Sequence, residues 1–355
     1  MTLKDVARQA GVDASTASRV LRATDDRPVR AETRDRVLQA ASDLGYRANG
    51  VARSLRMRRT ETIGLVVPDI GNPTFGVIFT GIQAVVSEVG WHCVLVDGRP
   101  TARTAGWDRL ALEGRVDGLL VFVATIRDPT VRHLARAGFP MVLVNRRSHG
   151  IAGSVVMDDA RGAAVAVEHL AALGHRRIGH IMGPPTTDTG QRRLQGFRET
   201  LDRLGLPFRE RWVAETDYSE RGGQAAARRL IEQAGGKPPT ALYVASFMSG
   251  VGAMRVLTEA GLRVPDDVSI VVSDELSLAA YTAPPLTTIR FPLARMGEEA
   301  TRMLLRRIEG GAMDDIVLDE VPELVPRGST APPPANPRWP DPAGAEPPVA
   351  EAAPA

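Results

Sequence analysis

The chain has 355 residues, 43% of them hydrophobic, and carries 44 Lys and Arg against 42 Asp and Glu. That length exceeds one ordinary core, so two or three domains are expected, and no apolar run approaches the ~20 residues of a membrane-spanning helix. The single cysteine, Cys93, excludes an internal disulfide and a cysteine-based zinc site; with a charged N-terminus that has no apolar signal core, it points to the reducing cytoplasm.

The near-neutral total hides an asymmetry. Through Thr60 there are 13 Lys and Arg against 7 Asp and Glu, which leaves 31 against 35 for the remainder. A basic head on a slightly acidic body points to a polyanionic partner. Lys4 and Lys237 are the only lysines, so the placement of arginine, rather than its abundance, is the signal.

In chain order, Leu3, Val6, Ala7 and Ala10 form one face of a first helix, with Thr2 and Asp5 spaced as a capping box and Gly11 as its stop. Asp13 is a good N-cap for a second helix that turns Ala17, Val20 and Leu21 inward. A third helix places Val37, Leu38, Ala41 and Leu44 inside and ends at Gly45. Helix, glycine turn, helix and bracing helix make a helix-turn-helix. In such a unit the second helix enters the major groove, here with Ala14, Ser15, Thr16, Ser18 and Arg19 foremost. Arg19 suits a bidentate contact to guanine, Ser15 any base edge, Ala14 a thymine methyl, and Thr16 and Ser18 the phosphates.

The runs Thr2-Leu3-Lys4-Asp5-Val6-Ala7, Ala10-Gly11-Val12, Ser18-Arg19-Val20-Leu21 and Leu44-Gly45-Tyr46 resemble the LacI/GalR family of bacterial transcription regulators. The resemblance continues to Arg327-Gly328-Ser329-Thr330 and so covers all but the tail. It implies an all-α headpiece (1–48) with Thr2 among its DNA contacts, then a hinge (49–60). There Asn49 to Arg56, including Ala52, fold as a short helix on DNA beside the same segment of a second subunit. A segment this short is not stable alone, so its ordering is coupled to binding. Leu55 matches the family's minor-groove wedge, and Arg53 and Arg56 would lie along the phosphates. Two departures weaken this part: Gly50 stands where the family often has Ala, and Arg30 where a Ser usually caps the third helix, each a loss of about 1 kcal/mol. The loop from Arg22 to Arg30 also runs slightly longer than usual.

From Ile63 the pattern changes to alternating strands and helices. Apolar strands are expected at 63–67, 94–96, 118–122 and 141–144, then at 178–182, 241–244 and 268–272. Helices are expected at 75–89 and near 161–173, 190–204, 221–234 and 249–260. Such βα repeats imply two doubly wound parallel-sheet halves with a ligand crevice at the carboxyl ends of the strands. The family resemblance makes this a periplasmic-binding-protein-like body (61–330) whose chain crosses between halves near Asp158, Thr288 and Val321. Residues 61–158 and 289–320, the latter including a helix from Leu293 to Ile308, then form one subdomain. Residues 159–288 and 321–330 form the other. The Pro- and Ala-rich tail (331–355) reads as disordered.

By the same resemblance the effector contacts are Phe75, Asn145, Thr189, Arg193, Ser246, Phe247 and Asp274. Arg193 and Asp274 offer a charged donor and a carboxylate acceptor to a ligand, or else pair with each other. Ser246-Phe247 replaces the family's usual Asn-Asp, and Asn145 an Asp. One reading has the Phe247 ring stacking on a flatter, less polar effector; the other packs Phe247 inward or leaves the pocket without its ligand.

The expected function is a repressor that binds a pseudo-palindromic operator as a homodimer, controlled by a small effector such as a sugar, a nucleoside or a related metabolite. An inducer and a corepressor fit equally well. The alternative is a two-lobed solute-binding protein without regulatory role, against which the basic head argues. Enzyme signatures are lacking: there is no nucleophile elbow, P-loop, dinucleotide fingerprint or His-Glu-x-x-His, and no cofactor or metal is called for. His169, His175 and His180 span helix, turn and strand and should diverge.

Overall fold

Three helices build the N-terminal unit: α1 (Leu3–Ala10), α2 (Ala14–Arg22) and α3 (Ala31–Asp43). The computed structural model describes residues 1–22, 29–46, 59–98, 106–233, 238–335 and 339, and the chain divides into two units, Met1–Thr60 and Glu61–Ala355. Over α1, the Thr2 amide donates to Asp5 Oδ2 at 2.8 Å and the Thr2 hydroxyl to the same oxygen at 3.0 Å. Gly11, at φ 67°, ends the helix in a left-handed turn that a side chain would strain. Asp13 caps α2 through the Thr16 amide at 2.8 Å. α3 begins at Arg30 with no side-chain cap.

Val6, Ala7, Ala10, Ala17, Val20, Val37, Ala40 and Ala41 form the small core of this unit. Leu38 does not belong to it, contrary to expectation, and is 47% exposed. The inward stripe of α3 runs Val37, Ala40, Ala41, Leu44, a spacing of three and four; Leu38 lies about 100° from Val37 around the axis. The hinge candidates Asn49, Ala52, Arg53, Leu55 and Arg56 lie outside the described residues.

The second unit contains two six-stranded sheets. The first runs in the order β2 (His92–Asp97), β1 (Thr62–Val67), β3 (Gly118–Val121), β4 (Met141–Val144), β5 (Ser154–Val156), β11 (Ile316–Val317), all parallel. The second runs β7 (Val213–Glu215), β6 (Ile178–Met182), β8 (Ala241–Val244), β9 (Ser269–Ser273), β10 (Thr287–Arg290), β12 (Glu323–Val325), with only β12 antiparallel. Both sheets reverse strand order beside their first strand, and a crevice opens at that switch point in such folds. The central strands are fully buried apolar runs, as strands covered on both faces must be.

The chain leaves the first sheet after Val156, returns to it after Arg290 and leaves it again after Val317. The second crossing thus falls later than Thr288, because Thr288 and Ile289 still pair with Val272 and Ser273 in the second sheet. On the first lobe, α4 (Thr74–Glu88) packs against the returning helix 293–308. The two approach closely at glycine: a Cβ on Gly81 would sit 1.9 Å from the Ala294 carbonyl oxygen, and one on Gly297 2.3 Å from that of Ile78. The first residues after Thr330 are anchored rather than disordered, against the expectation for the tail. The Ala331 amide donates to Ser269 Oγ at 3.0 Å, and Trp339 packs on the core of the second lobe. Proline and alanine composition hid this, since one amide-to-hydroxyl bond and one indole contact leave no trace in composition.

Candidate DNA-binding surface and effector cleft

On the headpiece, Ser15 is exposed and Thr16, Ser18 and Arg19 are partly exposed on α2, whereas Ala14, also partly exposed, packs against the headpiece core. Asp13 organises the start of that helix. Its carboxylate accepts the Ser15 hydroxyl and, at 2.8 Å, the Thr16 hydroxyl, as well as the Thr16 amide. These bonds, that from Ser15 first, hold the Asp13 carboxyl well below the ordinary carboxylate range. Both hydroxyls therefore spend their hydrogens on Asp13 and present lone pairs outward. Ser15 is thereby suited to accept from an adenine or cytosine amino group. A phosphate contact from Thr16 would first have to withdraw its hydrogen from Asp13.

In the body, a cavity of about 710 Å³ lies between the lobes at the carboxyl ends of the strands. Phe75, Asn145, Thr189, Arg193, Ser246 and Asp274 all line it. Phe247 does not. Its ring is 2% exposed within the apolar core of the second lobe, and Met248 faces the cavity instead. The stacking expectation for Phe247 is thus overturned. Neighbouring residues in a first helical turn point about 100° apart, and the larger apolar ring takes the core-facing position. Ser246 lines the cavity, but its hydroxyl accepts the Ser249 amide at 3.2 Å as the cap of helix 247–259.

Arg193 is the buried centre of the site, at 2% exposure. Its Nε donates to Asp159 Oδ1 at 2.7 Å, one terminal nitrogen to the Ala245 carbonyl, and the other to Asp274 Oδ1 at 3.5 Å. Asp159, fully buried, also accepts from Arg192 at 2.6 Å. Burial alone would raise the Asp159 carboxyl, but the two guanidiniums outweigh it and hold it below its ordinary value. Asp274 shifts the other way: burial raises it, and the distant Arg193 does not fully compensate. Sequence reasoning did not single out Asp159; a carboxylate just past a lobe crossing carries no motif.

It also passed over Arg146, Tyr218 and Phe122. Phe122 meets Phe75 edge-on at 5.5 Å, giving the cavity an aromatic wall. Arg146 is 9% exposed, donates Nε to the Phe122 carbonyl at 3.2 Å, and lies 5.4 Å from the centroid of the Tyr218 ring across the cleft. Further bridges join the lobes: the Ile126 amide donates to the Thr186 carbonyl at 2.9 Å, and the Thr189 hydroxyl to the Asn145 carbonyl. Asn145, Tyr218 and Asp274 have φ of 55°, 71° and 72°; among the described residues they are three of the four non-glycine positions with positive φ. Such strained backbone concentrates at ligand sites, and here it gathers around one cavity.

Of the three histidines only His180 stands apart, since His169 and His175 bond the adjacent residues Thr330 and Ala331. His169 meets Thr330, and His175 bonds Thr240 at 2.9 Å. His180 stacks between Phe197 at 4.9 Å and Tyr243 at 4.7 Å. Burial pushes the fully buried His180 down from 6.5 to about 4. Between those values the unfolded chain binds a proton that the fold refuses. The stabilisation is therefore complete above about pH 6.5 and is lost as pH falls toward 4, by about 3 kcal/mol in all. Urea unfolding of wild type and His180→Phe at pH 7 and pH 4.5 should show a smaller acid loss in the variant; equal losses would refute the assignment.

A helix-turn-helix unit and a two-lobed body with a strained, aromatic-walled cleft define a ligand-responsive DNA-binding regulator. The family described as bacterial regulatory proteins, lacI family, matches residues 2–49, and the periplasmic binding protein-like domain matches residues 167–330. The HTH-type transcriptional repressor PurR of Photobacterium profundum is 34% identical over 331 residues, 92% of this chain and 98% of that protein. Among solved structures, a complex of the transcriptional regulator CelR with cellobiose is 34% identical at a TM-score of 0.70. The Lac repressor dimer bound to operator and the anti-inducer ONPF is 28% identical at 0.79. Each of these alignments covers 93% of this chain and 99% of the other. This chain belongs to the LacI family of bacterial transcriptional regulators.

Proposed function

We propose that the protein is a cytoplasmic repressor that binds a pseudo-palindromic operator as a homodimer and changes its hold on DNA when a small polar molecule occupies the cleft of its body. The observation that carries the reading is the pairing of a basic helix-turn-helix with a cavity whose walls come from both lobes. A ligand that bridges Asn145 and Arg146 on one side and Arg193 and Asp274 on the other binds one lobe arrangement better than another. That difference is all an effector needs in order to shift a two-state body. CelR is found in complex with cellobiose, and that precedent supports a small polar ligand here.

Dimerisation is supported by the open edge of the first sheet. Val94 and Leu95 on β2 are 43% and 48% exposed, with Phe79 and Val89 exposed beside them. An apolar sheet edge left to water is a liability that a second copy removes. No helix among the described residues is long and apolar enough to cross a membrane. Footprinting of the purified full-length protein on genomic DNA tests the proposal. The expected result is protection of symmetric paired half-sites, lost when residues 1–60 are deleted. Recognition of the same sites by the truncated protein, or uniform affinity for all duplexes at every salt concentration, would refute it.

A further inference from the structure

The two arginines in the cleft differ in one respect. Arg193 is neutralised by Asp159 at 2.7 Å and reaches Asp274 at 3.5 Å. Arg146 is also more than nine-tenths buried, yet among the described residues no carboxylate lies within ion-pair distance of it. Asp188, which feels its field, is itself committed to Arg192. One terminal nitrogen of Arg146, Nη1, is buried with no hydrogen-bond partner, and so is the amide oxygen of the adjacent Asn145. Both residues line the cavity. The Arg146 guanidinium is fixed in place at the cavity wall by the Phe122 carbonyl and the Tyr218 ring. A buried cation without an ion-pair partner is costly, and fixed donors at a cavity wall are how proteins meet an anionic group.

We infer that the effector carries an anionic group, a carboxylate or a phosphoryl, held by Arg146, with a neighbouring hydroxyl or N–H donating to Asn145 Oδ1. This rests on the reading of the cleft as the effector site, and it narrows the ligand from polar metabolites in general to acids or phosphate esters. Guanidinium offers parallel donors to either group, whereas a neutral polyol would leave its charge unanswered.

Thermal unfolding of the full-length protein in the presence of inorganic phosphate, acetate or glycerol, at ionic strength held constant with chloride, provides the test. Phosphate or acetate should raise the melting temperature saturably by a few degrees, and glycerol at the same concentration should not. Whichever anion is effective at lower concentration identifies the group. Arg146→Gln should weaken that anion's apparent affinity by about tenfold or more, and Arg146→Lys, which keeps the charge but not the parallel donors, should fall between Gln and wild type. The inference falls if wild type shows no saturable anion effect, if Arg146→Gln matches wild type, if glycerol acts as well as the anions, or if Lys and Gln are equally defective. Operator affinity measured on the same samples separates the two claims: loss of DNA recognition with anion binding intact counts against the regulator reading alone.

Discussion

Replacing Asp159 with alanine should destabilise the body by about 3–5 kcal/mol, the usual consequence of removing one partner from a buried ion pair. Asp159 is 0% exposed and Arg193 2%, so neither charge has water to fall back on. Without Asp159, Arg193 keeps a carbonyl and an Asp274 oxygen at 3.5 Å, too little to balance a desolvated guanidinium. Arg192 also loses its 2.6 Å contact with the second oxygen of that carboxylate and is left with Asp188. A second substitution, Arg193→Leu in the same chain, should recover much of the loss, because the cost lies in the orphaned charge more than in the missing bond. The double variant should nevertheless lose any response to effector. Urea midpoints for the two single variants and the double variant measure this. A single Asp159→Ala variant within about 1 kcal/mol of wild type would show that the pair is not a keystone of the second lobe.

Arg19→Ala should weaken binding to the selected operator by about tenfold to a hundredfold, in line with the ~1–3 kcal/mol carried by a bidentate guanine contact. Binding to scrambled DNA should change much less. Arg19 sits on the outer side of α2, one turn beyond the Ser15 and Thr16 hydroxyls that Asp13 immobilises, so it extends from a helix start already fixed by hydrogen bonds. Gel-shift titration on both DNAs over a range of salt concentrations distinguishes base from phosphate contact. A lost phosphate contact would flatten the slope of log affinity against log salt by about 0.9, whereas a lost base contact should not. Equal losses on both DNAs would move Arg19 from base reading to the backbone.

Much of the fold is written locally. Gly11 at a left-handed turn, Asp13 as a cap and the alternation of apolar runs with helices from Ile63 onward each follow from short-range chemistry. The strands expected at 118–122, 141–144, 178–182 and 241–244 lie within a residue of those observed, since a strand buried on both faces must be apolar throughout. The short strands β5, β7, β11 and β12 left no such trace: two or three residues pair only because a longer neighbour is already in place.

The cleft divides along the same line. The likeness to a known family placed Phe75, Asn145, Thr189, Arg193, Ser246 and Asp274 at the cavity, because motifs in the surrounding sequence fix their positions. Phe247 could not be oriented that way, because which residue of a first helical turn faces the core depends on how the helix sits on its sheet. Asp159, 34 residues before Arg193, and Arg146, 72 before Tyr218, gain their roles only through contacts between segments far apart in the chain. Amino-acid order thus determined the elements, the basic head and the membership in the family, all of which depend on periodicity and on charges close together in the chain. Tertiary structure alone decided which buried charges are answered and which are left for a ligand, because electrostatic balance in a desolvated cavity depends on distance in space.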